Sequence, residues 1–278
     1  MIALLRTELV KAVRRTRTVV ILAALIGLPT VISLAVNARG PRRPDRGEGL
    51  FRLASQSGLV IPAAILTMTS AFLLVIVSGT IIGDSVAGDA ATGNLRYLLL
   101  RPVSRAKLLV AKAVVSTLLV WVATLLVVLT ALVAGVALFG WHAISVPVAA
   151  SESGPPQWIE LTTVDLLARL AFGTLYVAFG FTALVGIGTF FSTLTDTPSG
   201  AIGASVGVYI VSEILDAITD LGSLRYGLPT HYRSVWVDTI TRNSFSPDLK
   251  AGVIVQLAYG VVFLTASIVW FRRKDIRS

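Results

Sequence analysis

Six apolar runs, at about 18–36, 58–82, 108–139, 164–191, 200–218 and 251–271, constrain this chain more than any other feature. Each is close to or beyond the ~20 residues that a helix rising ~1.5 Å per residue needs to cross ~30 Å of hydrocarbon. The runs at 108–139 and 164–191 exceed one perpendicular crossing, which predicts tilt or helix continuing past the bilayer. The connections are too short for a folded soluble domain between them. The fold expected is therefore all-α: a polytopic membrane protein with six transmembrane helices in a single domain, 1–278. Composition agrees, because 55% hydrophobic and 14% charged residues do not make an ordinary globular surface.

Orientation follows from Lys and Arg near the span ends. With the N-terminus inside, the inner segments carry Arg6, Lys11, Arg14, Arg15, Arg17, Arg96, Arg101, Arg105, Lys107, Lys112, Arg272, Arg273, Lys274 and Arg277, which is fourteen of the 24 basic residues. Only Glu8, Asp84, Asp89, Asp196 and Asp275 oppose them, so the whole net charge of +9 falls on the inner side. Arg39, Arg42, Arg43, Arg46 and Arg52 in the first outer loop run against this assignment, partly offset by Asp45 and Glu48. The balance predicts a plasma (cytoplasmic) membrane protein with both termini cytosolic, its basic face toward anionic membrane lipid.

Ahead of the first span, Ile2, Leu5, Leu9, Ala12 and Val13 recur at helical spacing, with Glu8, Lys11, Arg14 and Arg15 between them. Residues 1–16 read as an amphipathic helix in the inner interface. The competing reading, a signal peptide, lacks a small-x-small cleavage site. In the fifth run, Gly203 and Gly207 give a small-xxx-small spacing that suits close helix packing. Farther along it, Glu213, Asp216 and Asp220 share one face. Glu213 and Asp216 are candidates for a polar substrate path; the alternative is a headgroup-level pairing with Arg225 or Arg233.

Several chemistries are missing from the sequence. There is no cysteine, which excludes disulfides, thiol catalysis and thiolate metal sites. Neither a GxxxxGK[ST] phosphate loop nor HExxH occurs, so no ATP site, catalytic residue, metal or cofactor is expected in this chain. His142 and His231 lie in outer loops far apart in sequence and read as interfacial polar residues. A serine intramembrane protease would need Ser199 and His231 together, and they are assigned to opposite sides. The basic segments follow topology and lack a nucleic-acid module, so no nucleic acid is expected as a partner.

The inner loop between the second and third runs carries the most specific pattern. Gly93 can break the helix leaving the second span; Leu95, Leu98 and Leu99 form an apolar stripe flanked by Arg96 and Arg101; Pro102 ends it. Ser104 can cap the third span, with Arg105, Lys107 and Lys112 at its inner end. A solvated basic loop that only fixes topology would account for the arginines. It would not account for the leucines.

Gly93, Leu95, Arg96, Leu98, Leu99, Arg101, Pro102, Val103, Ser104 and Arg105 resemble the motif after the second span in permease subunits of ABC-2 type transporters. Leu5, Glu8, Leu9 and Lys11 resemble that family's N-terminal elbow helix, residues 272–276 its basic ending, and Asp89 an acid before the motif. The pattern departs from the family at Asn94, where Thr is usual, and at Ala91, where a second acid is common. The resemblance implies an exporter permease that pairs with a second copy or a related chain. It also implies docking of two separate ATPase subunits, which would hold the ATP and Mg, onto a coupling helix in this loop. Two other readings stand beside it: an ion-coupled secondary transporter using Glu213 and Asp216, and a membrane anchor or immunity component that recruits the ATPase without transport.

Overall fold

A backbone inside hydrocarbon must satisfy its N–H and C=O groups within its own segment, which makes helices the default for runs this apolar. The computed structural model describes residues 2–13, 16–38, 49–54, 57–94, 104–147 and 158–274, and among them helices dominate. The loop residues Leu95, Arg96, Leu98, Leu99, Arg101 and Pro102 lie outside the described residues.

In chain order the helices are α1 (Ile2–Val13), α2 (Thr16–Ala38), α3 (Gly49–Ala54), α4 (Ile61–Ala71), α5 (Leu73–Ala91) and α6 (Arg105–Phe139). They continue as α7 (Thr163–Gly180), α8 (Thr182–Leu194), α9 (Pro198–Ala217) and α10 (Asp248–Arg273). Six helical stretches are long and apolar enough to cross a membrane: α2, α5, α6, α7 with α8, α9 and α10. At 35 residues, α6 is the longest, roughly 52 Å, and so outreaches a bilayer core. Ser104 opens it by accepting the Lys107 N–H, and Gly140, at φ 76°, closes it.

Two apolar runs are broken rather than continuous. At Phe72 (φ −134°, ψ −66°) the second run splits into α4 and α5, just after Thr67, Thr69 and Ser70 bond back to carbonyls of their own turns. Such back-bonding competes with the helix ladder. The fourth run turns at Phe181, between α7 and α8. A further departure from an all-helical reading is a short antiparallel hairpin, β1 (Ile144–Pro147) with β2 (Trp158–Leu161), in what the sequence presents as an outer connector.

Burial ranks the helices. Of the most apolar window in α5, and equally in the α7–α8 stretch, 61% is buried, against 17% in α2, so α5, α7 and α8 form the centre of the bundle and α2 is an outlying strut along α6. Close approaches need glycine at two crossings: a Cβ on Gly58 would lie 2.3 Å from the Gly135 carbonyl oxygen, and one on Gly186 would lie 2.9 Å from Gly260 Cα. A Cβ on Gly203 or Gly207 would meet nothing within 4 Å, so these two make no close crossing within this chain.

Between α9 and α10 the chain folds back over one end of the bundle in 3-10 turns (Thr219–Gly227, Val235–Val237) and a single helical turn (Asp238–Thr241). Trp236 plugs this segment into the core, fully buried against Gly173. Truncating a buried indole costs ~3–5 kcal/mol. Trp236→Ala should therefore lower the melting temperature of the detergent-solubilised protein markedly, whereas Trp121→Ala, at an exposed indole, should leave it unchanged.

Candidate functional site

The most constrained polar cluster lies at the end of the bundle that carries α1, the α5 terminus and the start of α6. Asp89, in the last turn of α5, has no exposed side-chain surface, and Lys112 of α6 is 2% exposed. The Lys112 ammonium donates to Asp89 Oδ2 (2.5 Å), Glu8 Oε2 (2.9 Å) and the Ser85 carbonyl (2.8 Å), which uses all three of its donors. Lys11 of α1 donates to the other Asp89 oxygen, Oδ1. Glu8 and Lys11 are one helical turn apart on α1, and Ser85 and Asp89 one turn apart on α5, so two short spacings and one lysine close a ring through three helices. Among the described residues the ring holds two acids and two bases.

The cluster holds its geometry because Asp89 and Lys112 have lost their water and depend on their partners, with Glu8 nearly buried and Lys11 partly exposed. The net stabilisation of such a cluster is modest, but removing one member strands the others at a cost of ~3–5 kcal/mol. Arg17 extends the network at its edge, 3.4 Å from Asp84.

Two further contacts fix the same end. The Ser192 hydroxyl of α8 accepts the amide hydrogens of Val86 and Ala87 and donates to the Gly83 carbonyl, so it sits within the α5 ladder just before the ring. Arg105, at the first turn of α6, donates to the Phe271 and Lys274 carbonyls at 3.3 and 2.8 Å, a cation on the C-terminus of α10. Lys274 in turn reaches Asp196 and the Thr193 carbonyl at the α8–α9 turn. The residues that the sequence marks as an interfacial helix (Glu8, Lys11), a docking-loop acid (Asp89) and an orienting arginine (Arg105) thus stand at one end. Leu5 is half-buried and Leu9 exposed on α1, and Gly93 sits at φ 71° directly after α5.

Sequence reasoning placed Lys112 with the basic residues at the inner end of the third span but not with its acid partners, and it passed over Ser192. For Lys112 a signal existed: a lysine inside an apolar run needs an acid partner at that depth, and Asp89 and Asp84 close the preceding run. Ser192 offered none, because serine is common in apolar helices.

Glu213 and Asp216 lie at the opposite end, and both have basic partners. Glu213 pairs with Arg233 at 2.7 Å, and Arg233 also donates to the Thr67 carbonyl and Ser70 hydroxyl, joining α9 to α4. Asp216 meets His231 Nδ1 at 2.5 Å and Arg225 at 3.5 Å. Beside them, burial pushes the Tyr232 hydroxyl above the ordinary tyrosine range, with a smaller contribution from the Asp248 carboxylate. Among the described residues no group of three or more His, Asp or Glu is placed to hold a metal ion.

The ring makes a direct prediction. Lys112→Met leaves Asp89 and Glu8 short of a partner and should destabilise the protein by about 3 kcal/mol or more, and adding Asp89→Leu should recover much of that loss. Melting of the single and double variants in one detergent reads both effects; full additivity would mean that the two residues do not interact.

Residues 51–277 match the sequence model of a family described as a protein of unknown function, DUF2705. The match takes in Asp89, Lys112, Ser192 and Arg105 and begins after α1, which supplies Glu8 and Lys11. No curated protein matches the chain.

Proposed function

The chain belongs to the DUF2705 family of proteins of unknown function, and from its own residues we propose that it is the permease subunit of an ATP-driven ABC-2 type exporter. In this reading it lies in the cytoplasmic membrane with the charged ring on the cytosolic side. It pairs with a second permease and docks separate ATPase subunits on the loop 95–103.

The observation that carries the proposal is the buried ring of Glu8, Lys11, Asp89 and Lys112. α5 ends two residues after Asp89, and α6 begins seven residues before Lys112. Both shoulders of the loop are therefore bolted to each other and to α1 by charges that cannot separate without large cost. A force applied to the loop is passed to the spans instead of being absorbed by bending at their ends. Nucleotide can bias a membrane conformation only through contacts that differ between two states, and a stiffly mounted loop supports such a transfer. The leucine stripe Leu95, Leu98 and Leu99 supplies apolar anchors for a partner groove, and Arg96 and Arg101 set its register.

The test is affinity purification of the tagged chain from its native membrane, with mass spectrometry for a protein that carries a GxxxxGK[ST] loop. The expected result is recovery of such an ATPase with the native chain and its loss with Leu98→Asp plus Leu99→Asp, while the variant still inserts. Recovery unchanged by that double substitution, or no such ATPase with the native chain, contradicts the proposal.

A further inference from the structure

Next to the ring, a slot of about 240 Å³ opens between α2 on one side and α5 with α6 on the other. Its walls are apolar: Leu22 and Leu25 from α2, Ile81 from α5, and Leu119, Ala123 and Leu126 from α6. From Lys112 to Leu126 it follows α6 for fourteen residues, roughly 21 Å at the helical rise. That small volume over that length describes a narrow slot, and it falls below the ~300–1,000 Å³ that enclose a drug-sized molecule. Its length and apolar walls suit an extended alkyl chain.

The mouth of the slot is charged, and its charges are unequally occupied. Its acids are engaged in ion pairs: Glu8 with Lys112 and Asp84 with Arg17. Two of its three bases, Arg17 and Lys11, are partly exposed, whereas Lys112 is fully used within the ring. Arg17 has 59% of its side chain exposed and, among the described residues, one carboxylate contact at 3.4 Å, and Lys11 is 33% exposed. A guanidinium offers five donors, so most of those on Arg17 remain for an acceptor from outside. The Ser85 hydroxyl, buried at this mouth, has no hydrogen-bond partner among the described residues.

We infer that this slot binds an anionic, phosphate-headed lipid, with one alkyl chain between α2 and α6 and the headgroup on Arg17 and Lys11. An apolar slot alone would accept any acyl chain of the bilayer; the arginine and lysine at its mouth select for negative charge. The lipid completes an interface that side chains leave open, since α2 packs along α6 and away from α5. The inner-leaflet position rests on the orientation proposed above. The binding itself does not depend on an ATPase, so the two readings can fail separately.

Native mass spectrometry of the purified full-length chain in dodecyl maltoside tests the inference, with phosphatidylglycerol, phosphatidylcholine and inorganic phosphate as probes. The native chain should retain phosphatidylglycerol at least tenfold better than phosphatidylcholine. Arg17→Gln should lower phosphatidylglycerol retention about tenfold, as expected for loss of a charge-assisted contact. Leu22→Trp should abolish it by filling the slot from a position 40% exposed, which leaves the core untouched. Equal retention of the two lipids, or binding that survives Leu22→Trp in a protein of native melting temperature, would overturn the assignment. Displacement of the lipid by millimolar inorganic phosphate would also overturn it, by reducing the site to a headgroup contact without a chain.

Discussion

The carboxylate of Asp89, buried between two lysines, is the contact on which the charged end of this protein depends. Each of its oxygens takes one ammonium, from Lys11 on α1 and Lys112 on α6, and Lys112 carries the connection on to Glu8. None of the four can be removed without leaving a charge in a place that water does not reach. The ring works as a clamp: it lets an amphipathic helix, the last turn of one span and the first turns of another behave as one body. Ser192 and Arg105 add the remaining spans at that end, one by entering the α5 ladder and the other by capping α10.

The rest of the bundle reads as support for that body. α5, which with the α7–α8 stretch is one of the two most buried spans, ends in the ring and packs against α8 and α9. Glycine crossings at Gly186 with Gly260 and at Gly58 with Gly135 bring backbones close enough for dispersion to act where lipid offers no hydrophobic drive. At the far end Arg233 performs a parallel task, holding Glu213 of α9 against the Thr67 carbonyl and Ser70 hydroxyl of α4. The helix breaks at Phe72 and Phe181 fall between these two tied ends.

What could be read from the sequence is what local chemistry decides. Apolar length marks the six spanning stretches, and Ser104 and Gly93 mark helix boundaries because a hydroxyl cap and a left-handed turn act within a few residues. The ring joins residues 78 and 104 positions apart, and periodicity within one segment carries no information about such meetings. Glu8, Lys11 and Asp89 could be singled out by resemblance, but not placed together. The break at Phe72 was illegible because neither proline nor glycine stands beside it, the one at Phe181 because Gly180 is one of many glycines in apolar helices, and the strands 144–147 and 158–161 lay in a segment with connector composition. Gly203 and Gly207 show the converse: their spacing suits close packing, yet within this chain α9 turns them away from its neighbours.

The central claim is that α1 and the start of α6 are held as one body by the ring. Because the chain has no cysteine, two introduced cysteines give a unique pair of spin labels. Val10 on α1 and Lys107 on α6 are both exposed and outside the ring. A pulsed electron-spin distance measurement between them should give one narrow distribution in the native protein and a broad one once Asp89 is changed to Asn. A distribution equally broad in both would contradict the account.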